Sequence, residues 1–212
     1  LPCIQAKESE IDLPGRSERT LRYGFTAAAL AFLPAYAVAQ EVPAPPPEIA
    51  ELVESCAACH GDNGVPVQED APIIWGQENY YMYVQMRDIQ AGRRKSELME
   101  PIVEGLDKPT LKALTAYFSS LKWPALGFAT PESDFAVAES AAVAGQCAQC
   151  HLGAWTGNSR VPRLAGQNVH YLEKTMLDYK YDRRRNAPDI AALFRDMTDD
   201  AIGSLARYAA GK

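Results

Sequence analysis

The sequence predicts an all-α protein made of one small helical unit repeated twice. Strand-like alternation of apolar and polar residues is nearly absent, and apolar positions recur at helical spacing instead. A Cys-x-x-Cys-His motif occurs twice, as Cys56-Ala57-Ala58-Cys59-His60 and Cys147-Ala148-Gln149-Cys150-His151. Two further landmarks recur in the same order. Gly76-Gln77 returns as Gly166-Gln167, and Leu106-Asp107 through Ala116-Tyr117 returns as Met197-Thr198 through Arg207-Tyr208. An offset of 90 to 91 residues between the copies is longer than a solenoid repeat and fits a duplicated small domain.

The elements follow in chain order. Residues 1–39 read as a targeting segment that is removed on export. Arg16, Arg19 and Arg22 form a basic region ahead of the apolar stretch Tyr23 to Val38, and Ala37-Val38-Ala39 fits a small-x-small cleavage site. That stretch is short and broken by Pro34, which argues against a membrane span. Glu41 to Pro47 reads as an extended leader. Helices are predicted over Pro47 to Ser55, Gln77 to Gln90 and Asp107 to Leu121. In the second of these, Tyr81, Val84 and Ile89 are apolar positions. In the third, Asp107 is the N-cap and Leu111, Leu114 and Phe118 share one face. The second copy predicts helices over Asp134 to Ala148, Gln167 to Tyr179 and Thr198 to Ala209. Proline and glycine crowd Lys122 to Ser133. The expected organisation is therefore a domain over 40–123, a linker over 124–133 and a domain over 134–212.

A half of roughly 80 residues with three main helices has little apolar area to bury and is marginal alone. A large flat cofactor at its centre would supply the missing core. The composition is that of a globular protein, with 47 % hydrophobic and 23 % charged residues. A formal net charge of -6 offers no basic footprint for nucleic acid. It suits docking on a partner with a basic patch.

Cys-x-x-Cys-His is the attachment signature of c-type haem. The two thiols add across the two vinyl groups of the porphyrin, and the two residues between them set the matching separation. The next residue faces the iron, so a histidine there is the proximal ligand. Cys56, Cys59 and His60 are assigned to one haem, and Cys147, Cys150 and His151 to a second. A zinc site needs two more ligands at short range, which neither half offers. A thioredoxin-type pair wants a βαβ context. Two plain disulfides would leave the histidine after each pair unexplained. Basic residues also cluster, at Arg87 and Arg93-Arg94-Lys95 and at Lys180 and Arg183-Arg184-Arg185. They form either a solvated face or partners for haem propionates and the opposite half.

These residues resemble the dihaem cytochrome c4 family over about residues 48–211. The resemblance rests on both Cys-x-x-Cys-His sites, Gly76-Gln77 and Gly166-Gln167, the arginine stretches, and the closing segments Ala113 to Phe118 and Leu205 to Tyr208. It implies two tandem class I cytochrome c domains, each of about three main helices around a covalently bound haem. It also implies a periplasmic electron carrier rather than an enzyme. The expected partners are a quinol-oxidising complex or dehydrogenase on one side and a terminal oxidase on the other, with peripheral association with a membrane complex. The alternative is a cytochrome subunit of a larger oxidoreductase, such as a flavocytochrome sulfide dehydrogenase or an alcohol dehydrogenase.

The resemblance further implies a methionine on the distal face of each haem, in the loop before the last helix. Met99 takes that place in the first half. The equivalent position in the second half holds Ile190, which cannot bind iron. Met197 and His170 are weaker candidates there, Met176 reads as core, and an open distal side is the remaining reading.

Overall fold

The computed structural model describes residues 42–212; the expected targeting segment 1–39 lies outside the described residues. These form nine α-helices, with no β-strand among them beyond an isolated bridge between Asn158 and Val161.

A 3₁₀ turn over Pro47–Ile49 leads into α1 (Ala50–His60). This helix runs five residues past the predicted end at Ser55, so the first Cys-x-x-Cys-His motif forms its last turn. Gly61, at φ 82°, ends it. The first half continues with α2 (Asn79–Gln90), the short α3 (Glu100–Val103) and α4 (Lys108–Ser120). Asp107 caps α4 as predicted, its carboxylate accepting from the Thr110 N–H at 2.9 Å.

The second half opens differently. The continuous helix predicted over Asp134 to Ala148 is two helices, α5 (Glu132–Ala144) and α6 (Cys147–His151). The break falls at Gly145 and Gln146, and Gln146 adopts the left-handed φ of 52° that interrupts the helical ladder. Then come α7 (Val169–Lys180), α8 (Pro188–Phe194) and α9 (Asp199–Ala210), with Thr198 capping α9 through the Ala201 N–H at 3.2 Å.

Each half builds its own core. In the first, α2 packs on α4, and Leu114, Tyr117 and Phe118 meet Ile49, Trp75 and Met82. Leu111, Leu114 and Phe118 are all buried, as their shared face predicts. In the second, α9 lies between α5 and α7, with Ile202, Leu205 and Tyr208 against Ala138, Trp155, Leu172 and Met176. Asp134 on α5 accepts from Arg207 and Ser204 on α9, which locks the two helices together.

The repeated Gly-Gln pairs bring the halves together. The Gly76 N–H donates to the Phe118 carbonyl at 2.8 Å, and the Gly166 N–H to the Ala210 carbonyl at 3.1 Å. Each pair is thus fixed to the end of its own closing helix. The segment Leu121 to Trp123 passes over both glycines. A Cβ on Gly76 would lie 3.0 Å from the Trp123 nitrogen, and one on Gly166 2.9 Å from Trp123 Nε1. Both glycines also have positive φ, 67° and 72°. Glycine is required twice over at each position.

Candidate haem sites

His60 closes α1 and is 7 % exposed. Its Nδ1 lies 2.8 Å from the Pro72 carbonyl oxygen, and Nδ1 of His151 lies 2.9 Å from that of Pro162. A carbonyl only accepts, so each Nδ1 carries the proton and each Nε2 keeps its lone pair. This is the tautomer and the second contact that a metal-binding histidine needs. Burial lowers the pKa of both rings, more than the carbonyl contact raises it, which keeps them neutral. His151 also stacks on Trp155, with centroids 6.4 Å apart and planes at 16°.

None of the four motif cysteines, Cys56, Cys59, Cys147 and Cys150, is joined in a disulfide. Burial, helped by neighbouring Cys59, pushes the Cys56 thiol up to about 11. Burial raises Cys147 as well. Among the described residues no three His, Cys, Asp or Glu side chains converge as a metal cluster would.

The arginine stretches divide between the two readings the sequence leaves open. Arg93 pairs with Asp88, Arg183 with Asp178 and Lys180 with Asp199, each within its own half. Arg94 and Arg184 reach across. Arg94 Nη2 donates to the Tyr171 hydroxyl at 3.2 Å, and Arg184 Nη2 donates to Gln85 Oε1 at 2.7 Å. Arg184 also lies over the Tyr179 ring at 4.7 Å, and its Nη1 is buried without a partner among the described residues. A buried guanidinium nitrogen of this kind calls for an anion. A haem carries two carboxylates, so the donor set and this orphan together fit the group.

Met99 lies half-buried at the N-cap of α3. Ile190 is on α8, packed against the second core. Met197 packs against the same core. Its Cε lies 3.7 Å from where a Cβ on Gly145 would sit, and Cys147 Sγ lies 3.2 Å from that point. Met197 therefore lies close to Cys147. His170 is exposed and pairs with Glu69 of the first half, Nδ1 to Oε1 3.3 Å. Met176 is core, as expected.

The sequence reading missed Pro72, Pro162 and the reach of the two glutamines. Gln77 bonds Arg163, and Gln167 bonds Ile73, across the interface. A repeated motif marks these residues, though not the contacts between the halves. Pro72-Ile73-Ile74-Trp75-Gly76-Gln77 and Pro162-Arg163-Leu164-Ala165-Gly166-Gln167 share the spacing Pro-x-x-x-Gly-Gln.

No family model matches the chain. A cytochrome c4 of Azotobacter vinelandii is 29 % identical over 176 residues, spanning 74 % of this chain and 83 % of that protein. The thiosulfate dehydrogenase electron acceptor of Thiomonas intermedia (strain K12) is 30 % identical over 156 residues, 68 % of this chain and 70 % of that protein. The crystal structure of reduced recombinant cytochrome c4 from Pseudomonas stutzeri superposes with a TM-score of 0.69 at 27 % identity, covering 75 % of this chain and 94 % of that one. The chain belongs to the dihaem cytochrome c4 family. It is an all-α protein of cytochrome c domains, an electron-transfer cytochrome with two covalently bound haem c groups. Family membership places its chemistry at the irons; the protein supplies attachment, orientation and electrostatics.

Proposed function

We propose that this chain is an exported, periplasmic electron carrier and not an enzyme, with one haem held in each of the domains 40–123 and 134–212. Cys56 and Cys59 tether the first haem and Cys147 and Cys150 the second. His60 and His151 bind iron through Nε2, and Met99 completes the first site. When bound, each haem would supply a one-electron carrier whose potential would follow the side chains that hold its iron. The carrying observation is the matched pair of histidines. Each follows a Cys-x-x-Cys pair that forms no disulfide, and each has its Nδ1 hydrogen fixed on a proline carbonyl. Pro72 and Pro162 orient the rings, burial shields His60, Trp155 stacks on His151, and Arg184 supplies positive charge at the interface. No helix among the described residues is long and apolar enough to cross a membrane.

The donor is a dehydrogenase or a quinol-oxidising complex and the acceptor a terminal oxidase. Similarity to a thiosulfate dehydrogenase electron acceptor favours a dehydrogenase as donor. It also keeps a second reading in play, in which the chain is the cytochrome subunit of such an enzyme. Intact-mass measurement of the exported protein, with a redox titration followed by optical and EPR spectra, tests the main reading. Two added porphyrins, two one-electron steps and a start at Gln40 are expected. One haem or none overturns it. Purification from the native host separates the two readings: a carrier emerges alone, a subunit with its flavin- or quinone-bearing partner.

A further inference from the structure

The carbonyl of Pro72 and the N–H of Ile73 belong to one planar peptide unit and point in opposite directions. The oxygen is 2.8 Å from Nδ1 of His60, and the nitrogen is 2.7 Å from Oε1 of Gln167, in the other half. The second copy repeats the arrangement with the halves exchanged. The Pro162 oxygen is 2.9 Å from Nδ1 of His151, and the Arg163 nitrogen is 2.8 Å from Oε1 of Gln77. Each glutamine also donates Nε2 to the carbonyl of the same residue, Ile73 or Arg163, at 3.0 Å. A second bond to the following N–H, Asn168 or Glu78, fixes the amide in that pose. Gln77 and Gln167 are 4 % and 1 % exposed, so water does not substitute for them.

We propose that Gln77 and Gln167 are crossed positioning residues, each setting the proximal histidine of the opposite half through one shared peptide plane. The proposal rests on the haem assignment made above. Its physics is polarisation along a hydrogen-bond chain. An acceptor on the Ile73 N–H makes the Pro72 carbonyl more basic. That carbonyl then pulls harder on the His60 Nδ1 proton, and the imidazole becomes a stronger donor at Nε2. Docking of the halves thereby tunes both irons, each from the far side.

The experiment is a redox titration of the holoprotein with the two haems resolved by paramagnetic proton NMR of the His60 and His151 rings. Gln167→Leu raises the potential of the first-half haem and leaves the second; Gln77→Leu does the reverse. A shift confined to the mutated half, equal shifts at both haems, or none overturns the proposal. Gln167→Glu keeps the shape and serves if leucine prevents folding. In acid its neutral carboxyl retains both contacts with Ile73 and the wild-type value. As it ionises, the first-half potential falls and the second does not, whereas a fall at the second haem or at neither overturns the crossed arrangement. Wild-type protein without iron-shifted signals from His60 and His151 overturns the haem assignment itself, before any glutamine variant is read.

Discussion

Arg184 of the second half reaches Tyr81 of the first, its Nη2 donating to the phenol oxygen at 3.4 Å. It is 6 % exposed; the same Nη2 also donates to Gln85 Oε1, and Nε donates to Asn186 Oδ1. Asn186 extends the network to Asp88 at 2.8 Å. Interface geometry at this end is thus set by one buried cation with polar partners from both halves.

Arg184→Leu leaves Tyr81, Gln85 and Asn186 short of partners in a buried space. The expected loss of stability is about 2–4 kcal/mol, read as a lower denaturant midpoint. Arg185→Ala is the control. Arg185 pairs only with Asp182, 2.7 Å away, and both side chains are more than 70 % exposed, so its loss should cost no more than about 0.5 kcal/mol. Equal losses in the two variants would show that the network contributes nothing beyond surface charge.

Asp134 gives the second half an acid limit. The Arg207 hydrogen bond holds its carboxyl below the usual range, against a smaller opposing effect of burial and with help from Ser204. A carboxylate lowered in the folded state stabilises above its unfolded pKa, about 3.9. That contribution is lost as pH falls through the folded value. The denaturation midpoint should therefore drop below about pH 4, and Asp134→Asn should start lower and drop less. Asp107, Asp178 and Asp199 are lowered too, so the acid limb shrinks in the variant without vanishing. An unchanged limb in Asp134→Asn would remove Asp134 from the account.

The two-fold pattern was legible in the sequence because it is carried by covalent order: Cys56/Cys147, His60/His151 and Gly76/Gly166 mark it without any knowledge of packing. The face of α4 and the cap Asp107 were legible because helix periodicity and capping are local. The break at Gln146 was not. Apolar periodicity runs through Ala141 to Ala148, and Gly145 is the one local cue to a break, while the left-handed φ falls on the next residue, Gln146. Nor could the sequence say that Gln167 bonds Ile73, 94 positions away, since no local pattern encodes contact between repeats. His170 shows the converse. Its type suggested a ligand, but its position on the outer face of α7 puts it against Glu69.

Gly166 and Gly127 separate two effects. Both have positive φ, 72° and 64°, but a Cβ on Gly127 meets nothing within 4 Å, while one on Gly166 falls 2.9 Å from Trp123 Nε1. Gly127→Ala should cost the left-handed strain alone, about 1–2 kcal/mol. Gly166→Ala adds displacement of a tryptophan whose ring also carries Arg163 at 4.7 Å, and should cost clearly more. Thermal denaturation of both variants decides this; equal midpoints would mean that Trp123 moves freely.

Ile190 and Met99 are the residues at which the two halves part chemically. Both lie in the segment between the second and last helices of their half, Met99 at the N-cap of α3 and Ile190 on α8. A thioether at the distal site favours reduced iron and raises the potential, and an isoleucine gives the iron nothing. The first haem should therefore be low-spin and of higher potential. The second should be open on its distal side and should bind carbon monoxide when reduced. Ile190→Met is a volume-conserving exchange, costing less than about 1.5 kcal/mol. It should turn the second haem low-spin, abolish carbon monoxide binding and bring the two potentials together. Met99→Ile should do the opposite at the first haem, lowering its potential and opening it to carbon monoxide. If wild-type protein binds no carbon monoxide, another side chain ligates the second iron, and Met197→Leu then identifies or excludes the nearest methionine.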